Sequence, residues 1–174
     1  MGFRTRRDPN AEPNADPEAA REAALRLLER SRRTRSDLEH RLADKGFTPP
    51  AIAGALERLA RVGLVDDAEF ARAFLAGRWG RRPAGWRKLQ MQLRAKGVGD
   101  EDLAAARARI EEREGAVDEF TTALQLVGQA QRRYATLEPH VRKQRLYALL
   151  VRRGYDADTI RRVLAIPTDD SAQS

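Results

Sequence analysis

One pattern occurs three times in this chain of 174 residues and constrains its fold more than any other feature. Two leucines stand four residues apart, a basic residue and a glycine follow the second leucine, and an apolar or aromatic residue comes next. The three copies are Leu38-x3-Leu42-x2-Lys45-Gly46-Phe47-x4-Ile52, Leu89-x3-Leu93-x2-Lys96-Gly97-Val98-x4-Leu103 and Leu146-x3-Leu150-x2-Arg153-Gly154-Tyr155-x4-Ile160. Because the spacing is identical in all three, the chain is predicted to be an array of similar units.

Each copy has the features of one helix that ends and another that begins. Leucines at i and i+4 lie on one face of a helix, and a basic residue in the last turn is favourable at the carbonyl end of the helix dipole. Glycine suits the left-handed position that ends many helices. Thr48 before Pro49, and Asp156 in the third copy, are typical first residues of the next helix. Gly99 and Asp100 form a weaker start signal in the second copy.

A further helix precedes each copy, so each unit is predicted to hold three helices. Asp66 and Glu69, for example, form a capping box that begins the second unit. No alternation typical of strands is visible, and the predicted fold is all-α, a tandem array of three three-helix repeats. Repeats of about fifty residues need their neighbours to complete a core. The predicted boundaries are a flexible N-terminal segment at 1–17, repeats at 18–65, 66–115 and 116–166, and a flexible tail at 167–174.

The composition argues against several classes of protein. The chain has no Cys and only two His, which argues against disulfides, a cysteine nucleophile and a histidine metal centre. No phosphate-binding loop, nucleophile elbow or pair of catalytic carboxylates is recognisable, so no enzyme, metal or cofactor is predicted. No apolar run approaches the roughly 20 residues of a membrane span. The N-terminus shows no secretion signal, and a cytoplasmic protein is expected.

The charge is unevenly distributed along the chain. The net charge is +7, with 29 Arg and 4 Lys. Residues 18–98 carry +8, residues 99–120 carry −5 and residues 121–166 carry +6. A basic excess of this size favours a polyanionic partner, with nucleic acid as the default. A well-solvated, arginine-rich surface is the alternative interpretation.

The repeats resemble the bacterial regulatory family RecX over residues 20–166. The resemblance rests on the three copies, on the stretch Gly63-Leu64-Val65-Asp66-Asp67-Ala68-Glu69-Phe70-Ala71 between the first two, and on the closing Arg152-Arg153-Gly154-Tyr155-x4-Ile160. It implies an elongated, curved array that binds the RecA–DNA filament. It further implies inhibition of the recombinase, ATPase and coprotease activities of RecA in DNA repair, recombination and the SOS response. The family's usual Gly-Pro before the middle helix of the second repeat is replaced here by Pro83-Ala84-Gly85-Trp86.

Candidate contact residues fall in basic clusters that recur at similar places in successive units. The segment 77–88 is the most unusual, because it holds both tryptophans and five basic residues. Arg and Trp dominate binding hot spots, and an aromatic ring beside guanidinium groups can stack on bases. For Trp86 a core position on the face of Leu89 and Leu93 is favoured, and Trp79 would then pack under a loop. The predicted filament- or DNA-binding residues are Arg32, Arg33, Arg35, Arg78, Trp79, Arg81, Arg82, Arg87, Lys88, Arg132, Arg133, Arg142, Lys143, Arg145 and Arg152.

Other functions stay open at this point. The main alternative is a RecA-independent, basic helical module that binds nucleic acid, and a scaffolding repeat protein is less favoured. For the RecX-like function we expect a monomer whose partner is RecA, and whose binding to single- or double-stranded DNA alone is weak. Whether tight binding requires RecA therefore distinguishes the first two functions.

Overall fold

The computed structural model describes residues 12–79 and 82–166, and within them the chain forms nine α-helices and no β-strand. The helices are α1 Pro17–Leu28, α2 Arg35–Asp44, α3 Pro49–Arg61, α4 Asp67–Ala76, α5 Trp86–Arg94, α6 Asp100–Glu114, α7 Glu119–Tyr134, α8 Pro139–Arg153 and α9 Ala157–Ala165. The predicted all-α fold and its three-helix repeats are confirmed. Arg81 and the predicted tail at 167–174 lie outside the described residues.

The helices begin where the predicted capping residues lie, with one exception. Side-chain oxygens of Thr48, Asp66 and Asp156 each accept a hydrogen bond from the backbone N–H three residues on, at 3.4, 2.8 and 2.8 Å. These bonds satisfy N–H groups that have no partner inside the helix. Asp100 is the exception, because it lies within α6 and its carboxylate accepts instead from Arg94, at 2.7 Å.

The three repeated glycines have the left-handed backbone conformation that the pattern predicts. Gly46, Gly97 and Gly154 have φ angles of 92°, 84° and 82°. After Gly46 and Gly154, the backbone N–H of the next residue turns back to the carbonyl of the second leucine, at 3.1 and 3.2 Å. This arrangement ends each helix and returns the following aromatic residue to the core.

Unit 1 comprises the described residues of 12–71 and 94–104, and α1, α2 and α3 pack together there. The core consists of small and aliphatic residues: Ala23, Ala24, Leu38, Leu42, Ile52, Leu56, Leu59 and Val65. At the end of the predicted flexible segment, the Asn14 N–H donates to the carbonyl of Gly46 and its own carbonyl accepts from the N–H of Thr48, both at 2.9 Å. That part of the segment is thus hydrogen-bonded to the first repeat.

Unit 2 comprises the described residues of 72–93 and 105–166, and α7, α8 and α9 pack together there. Its core is Ala123, Leu126, Val127, Ala130, Leu146, Leu150, Tyr155, Ile160 and Val163. The hydroxyl of Tyr155 donates to Thr122 at 3.2 Å, so the buried phenol keeps a hydrogen bond. Helices α4, α5 and α6 contribute residues to both units.

In unit 1 the end of α5 packs on the start of α2. The hydroxyl of Thr34 donates to the carbonyl of Lys96 at 2.7 Å. A methyl group on Gly97 would overlap Ser36, with the Ser36 hydroxyl only 2.6 Å away. Glycine is therefore needed at this position for its close approach to Ser36 as well as for its backbone angle.

Unit 2 repeats this junction, with the end of α8 packed on the start of α5. The N–H of Gly85 donates to the carbonyl of Arg153 at 2.9 Å. A methyl group on Gly154 would overlap the backbone of Lys88, whose Cα would lie 2.9 Å away. A methyl group on Gly85 would likewise overlap the Gly154 carbonyl group. The Pro83-Ala84-Gly85 departure from the family pattern thus keeps a glycine at the point of closest approach.

None of the helices in the described part of the chain is long and apolar enough to cross a membrane.

Candidate filament and nucleic-acid interface

The predicted contact residues of unit 1 are engaged in ion pairs. The three pairs are Arg32–Glu69 at 2.9 Å, Arg33–Asp37 at 2.7 Å and Arg35–Glu39 at 3.1 Å. Burial alone would raise the pKa of Asp37, but hydrogen bonds from Arg33 and Arg41 outweigh it and hold that pKa below its usual value. The basic cluster of unit 1 therefore has much of its charge neutralised within the protein.

The predicted contact residues of unit 2 are differently placed. Arg132 and Arg133 lie at the end of α7, and Lys143 and Arg145 lie near the start of α8; all four are exposed. Neither they nor Arg82, Arg87, Lys88 and Arg152 form an ion pair with another described residue. For the cations on α5 and α8 the sequence explains this, since those two helices contain no Asp or Glu at all. Eight predicted cations of unit 2 are therefore free of internal ion pairs among the described residues.

Two predicted contact residues of unit 2 have internal roles. Arg142 is partly buried, and its Nη2 donates to the carbonyls of Ala135 and Leu137 at 3.3 and 3.4 Å. It thereby holds the connection between α7 and α8. The guanidinium of Arg78 lies 4.0 Å from the centre of the Phe74 ring and donates to the Phe74 carbonyl at 3.0 Å. Each of these two guanidinium groups thus contacts a neighbouring part of its own chain, Arg78 the helix α4 and Arg142 the α7–α8 connection.

Trp79 does not present its ring for stacking on a base. Its side chain is buried, with 5% of the residue exposed, and its indole Nε1 donates to Glu119 at 2.9 Å. A base can stack only on a ring face that solvent can reach. The structure therefore corrects the prediction of Trp79 as a direct contact.

A cluster around Glu119 was missed by the sequence analysis. One carboxylate oxygen of Glu119 accepts from the indole of Trp79 and, at 2.7 Å, from the backbone N–H of Trp86. The two tryptophan rings lie 5.0 Å apart, and the guanidinium of Arg107 lies 5.2 and 5.1 Å from their centres. Trp86 is half-buried in this cluster, so the favoured core position is met only in part.

Burial raises the pKa of Glu119 above its usual value, because desolvation disfavours the charged form. The sequence of the acidic stretch at 111–119 is typical of a solvated helix end. Asp118 fits this interpretation, since it caps α7. Glu119 does not fit it. Its partners lie 40 and 33 residues away, so no local spacing could have indicated them.

Within residues 12–79 and 82–166, no three His, Asp or Glu side chains come together in a way that could hold a metal ion.

Three family models match the chain in succession. They are described as the first, second and third three-helix domains of RecX and cover residues 20–59, 66–106 and 117–164. The order of the matches is the order of the three sequence copies.

Proteins whose sequences are similar to this chain are named regulatory protein RecX. A regulatory protein RecX from Mycolicibacterium vanbaalenii is 40% identical over 138 residues, covering 76% of this chain and 73% of that protein. One from Prosthecochloris aestuarii is 35% identical over 133 residues, covering 75% and 82%. The crystal structure of RecX from Lactobacillus salivarius has the same fold, with a TM-score of 0.74 at 19% identity, and covers 86% of this chain and 94% of that one. This chain belongs to the RecX family of regulatory proteins.

Proposed function

We propose that this protein binds the RecA–DNA filament and inhibits the recombinase, ATPase and coprotease activities of RecA. It would do so in the cytoplasm, as a monomer and without catalysing a reaction, in DNA repair, recombination and the SOS response. Membership of a family of regulatory proteins supports the regulatory part of this proposal. The observation that carries the binding part is the set of cations on unit 2 that form no ion pair with another described residue.

An unpaired surface cation binds a phosphate at lower cost than a paired one, because no internal ion pair has to be broken first. Arg132, Arg133, Lys143 and Arg145 stand on two helices joined by only four residues, 135–138. Contacts from such a group release counterions from the nucleic acid, which makes the affinity depend strongly on salt. These four side chains are the proposed phosphate contacts.

The same cations also support the second candidate, a module that binds nucleic acid without RecA. Phosphate contacts alone carry no information about a protein partner, since any polyanion can form them. The two functions differ in one respect. A filament regulator binds a RecA-coated strand more tightly than the bare strand, and a simple nucleic-acid-binding module does not.

The test is the ATP hydrolysis of RecA from the same organism on single-stranded DNA at physiological salt, titrated with this protein. We expect a fall in the rate at well below one molecule per RecA protomer. A variant with Arg132, Arg133, Lys143 and Arg145 replaced by Gln should inhibit at least ten times less effectively. No inhibition by the wild-type protein, together with retention of bare DNA in a gel-shift assay, would contradict the proposal and support the second candidate.

A further inference from the structure

A groove of about 330 Å³ on unit 2 is lined by residues of α5, α8 and α9. Three large apolar side chains at this groove are unusually exposed: Met91 at 63%, Tyr147 at 54% and Val151 at 49%. Tyr147 and Val151 are four residues apart and so lie one turn apart on the same face of α8. Exposed apolar side chains gathered at one groove favour a binding site there.

The charge around the groove is of one sign. Arg87 and Lys88 on α5 and Arg152 on α8 line it, and no Asp or Glu lies among the lining residues. None of these three cations forms an ion pair with another described residue. The occupant that fits must therefore offer apolar side chains and negative charge together.

A peptide fits this combination better than a nucleic acid does. A nucleic-acid groove gains most of its base affinity from aromatic stacking platforms. Here Tyr147 is the one exposed ring at the groove, and Met91 and Val151 are aliphatic. Apolar side chains spaced one helical turn apart, as Tyr147 and Val151 are, suit the i and i+4 side chains of an amphipathic helix.

We propose that this groove binds an acidic amphipathic helix on the surface of the protein that this chain regulates. Apolar residues of that helix would pack on Met91, Tyr147 and Val151, and its Asp and Glu residues would pair with Arg87, Lys88 and Arg152. The identity of the regulated protein as RecA rests on the proposed function. The groove thus contacts protein, whereas the cations at the α7–α8 connection contact phosphate.

The first test uses fluorescently labelled, overlapping peptides that cover the whole sequence of RecA from the same organism. Binding to the full-length chain is measured by fluorescence anisotropy. We expect at least one peptide rich in Asp, Glu and aliphatic residues to bind. The triple variant M91Q/Y147Q/V151Q should bind it at least ten times more weakly, and so should R87Q/K88Q/R152Q.

Two matched controls come from elsewhere on unit 2. Leu124 is an exposed apolar residue on α7 that does not line the groove, so L124Q should leave the peptide affinity within twofold of the wild type. Arg109 on α6 is exposed and lies outside the groove lining, so R109Q should also leave the peptide affinity within twofold of the wild type. These substitutions are at exposed sites, except that Lys88 is partly buried, and they should leave the circular dichroism melting curve nearly unchanged.

The binding of oligo(dT) decides between a protein and a nucleic acid in the groove. The variant M91Q/Y147Q/V151Q should keep the oligo(dT) affinity of the wild type within twofold. An equal loss for oligo(dT) and peptide, no binding by any peptide, or a dimer of this chain that M91Q/Y147Q/V151Q dissolves would each overturn the proposal. If the wild type inhibits RecA ATPase and the groove variant inhibits equally well, the groove inference fails alone. If the wild type itself does not inhibit, the proposed function fails.

Discussion

Units 1 and 2 contain the same helix junction but use their basic residues differently. In both, a left-handed glycine at the end of one helix packs on the first turn of another, Gly97 on Ser36 and Gly154 on Lys88. In unit 1 the arginines beside that junction pair with carboxylates, as Arg33 does with Asp37. In unit 2 the helices α5 and α8 carry cations without any acidic residue. A basic cluster in a sequence can therefore be neutralised by the fold, as in unit 1, or lack ion pairs among the described residues, as in unit 2.

The largest expected effect concerns the junction glycines. G154A should lower the free energy of unfolding by about 3 kcal/mol, because an unfavourable backbone angle adds to an overlap with the Lys88 backbone. G97A should cost a similar amount. Because the overlapping group there is the Ser36 side chain, S36G should recover part of the loss in the G97A background.

Urea unfolding followed by circular dichroism measures the free energy of unfolding of G154A, G97A and S36G/G97A. A double variant S36G/G97A that is no more stable than G97A would show that the overlap at Gly97 is not the cause. The Gly97 and Gly154 junctions would then differ in the cause of the destabilisation, and not only in the group that the added methyl overlaps.

The second expected effect concerns salt dependence. Replacing Arg132, Arg133, Lys143 and Arg145 by Gln should reduce the slope of log affinity for oligo(dT) against log salt by about 3, from four lost phosphate contacts. Replacing Arg32, Arg33 and Arg35 should reduce it by less than about 1, because those guanidinium groups are already paired. Fluorescence anisotropy between 50 and 200 mM NaCl is the measurement. Equal slopes for the two variants would remove the distinction between the units.

A third effect compares two half-buried carboxylates, Glu119 in unit 2 and Asp67 in unit 1. E119A should cost about 2 kcal/mol, because the Trp79 indole and the Trp86 N–H both lose their acceptor. E119Q retains an acceptor oxygen and should cost much less. D67A should cost about 1 kcal/mol, since Asp67 accepts one bond, from the N–H of Arg35 at 2.8 Å at a helix start. Thermal melting distinguishes these variants, and equal losses for E119A and E119Q would contradict the role of the acceptor.

The smallest effect is the pH dependence of the same two sites. Burial raises the pKa of both Glu119 and Asp67, so the folded state holds these protons to higher pH than the unfolded state does. Stability from a raised carboxyl pKa is present at acid pH and is lost as the pH rises from the ordinary value through the folded pKa. The wild type should therefore lose stability relative to E119Q as the pH rises from below 4.5, the ordinary pKa of Glu, towards neutrality. Urea titrations at several pH values test this, and a wild-type stability that stays constant or rises relative to that of E119Q with rising pH would contradict it.

Much of the fold could be predicted because the signals were local. Thr48 and Asp156 hydrogen-bond three residues ahead, and the three repeated glycines end helices within one turn of the leucines that precede them. Part of the site was local as well, since the Arg35–Glu39 pair follows from a spacing of four on one helix. The hydrogen bond from Trp79 to Glu119 could not be predicted, because the two residues are 40 positions apart in the chain.

The amino-acid sequence alone determined where helices begin and end and how often the three-helix unit recurs. Hydrogen bonds within a helix turn and the conformational freedom of glycine act over about four residues. Short stretches of sequence therefore suffice to determine the helix ends. Only the tertiary structure decided that Glu119 bridges Trp79 and Trp86, and that Arg32 pairs with Glu69. It also decided that Met91 on α5 and Tyr147 on α8 line one groove. These arrangements join residues far apart in the chain, because they depend on how whole helices pack rather than on any local spacing.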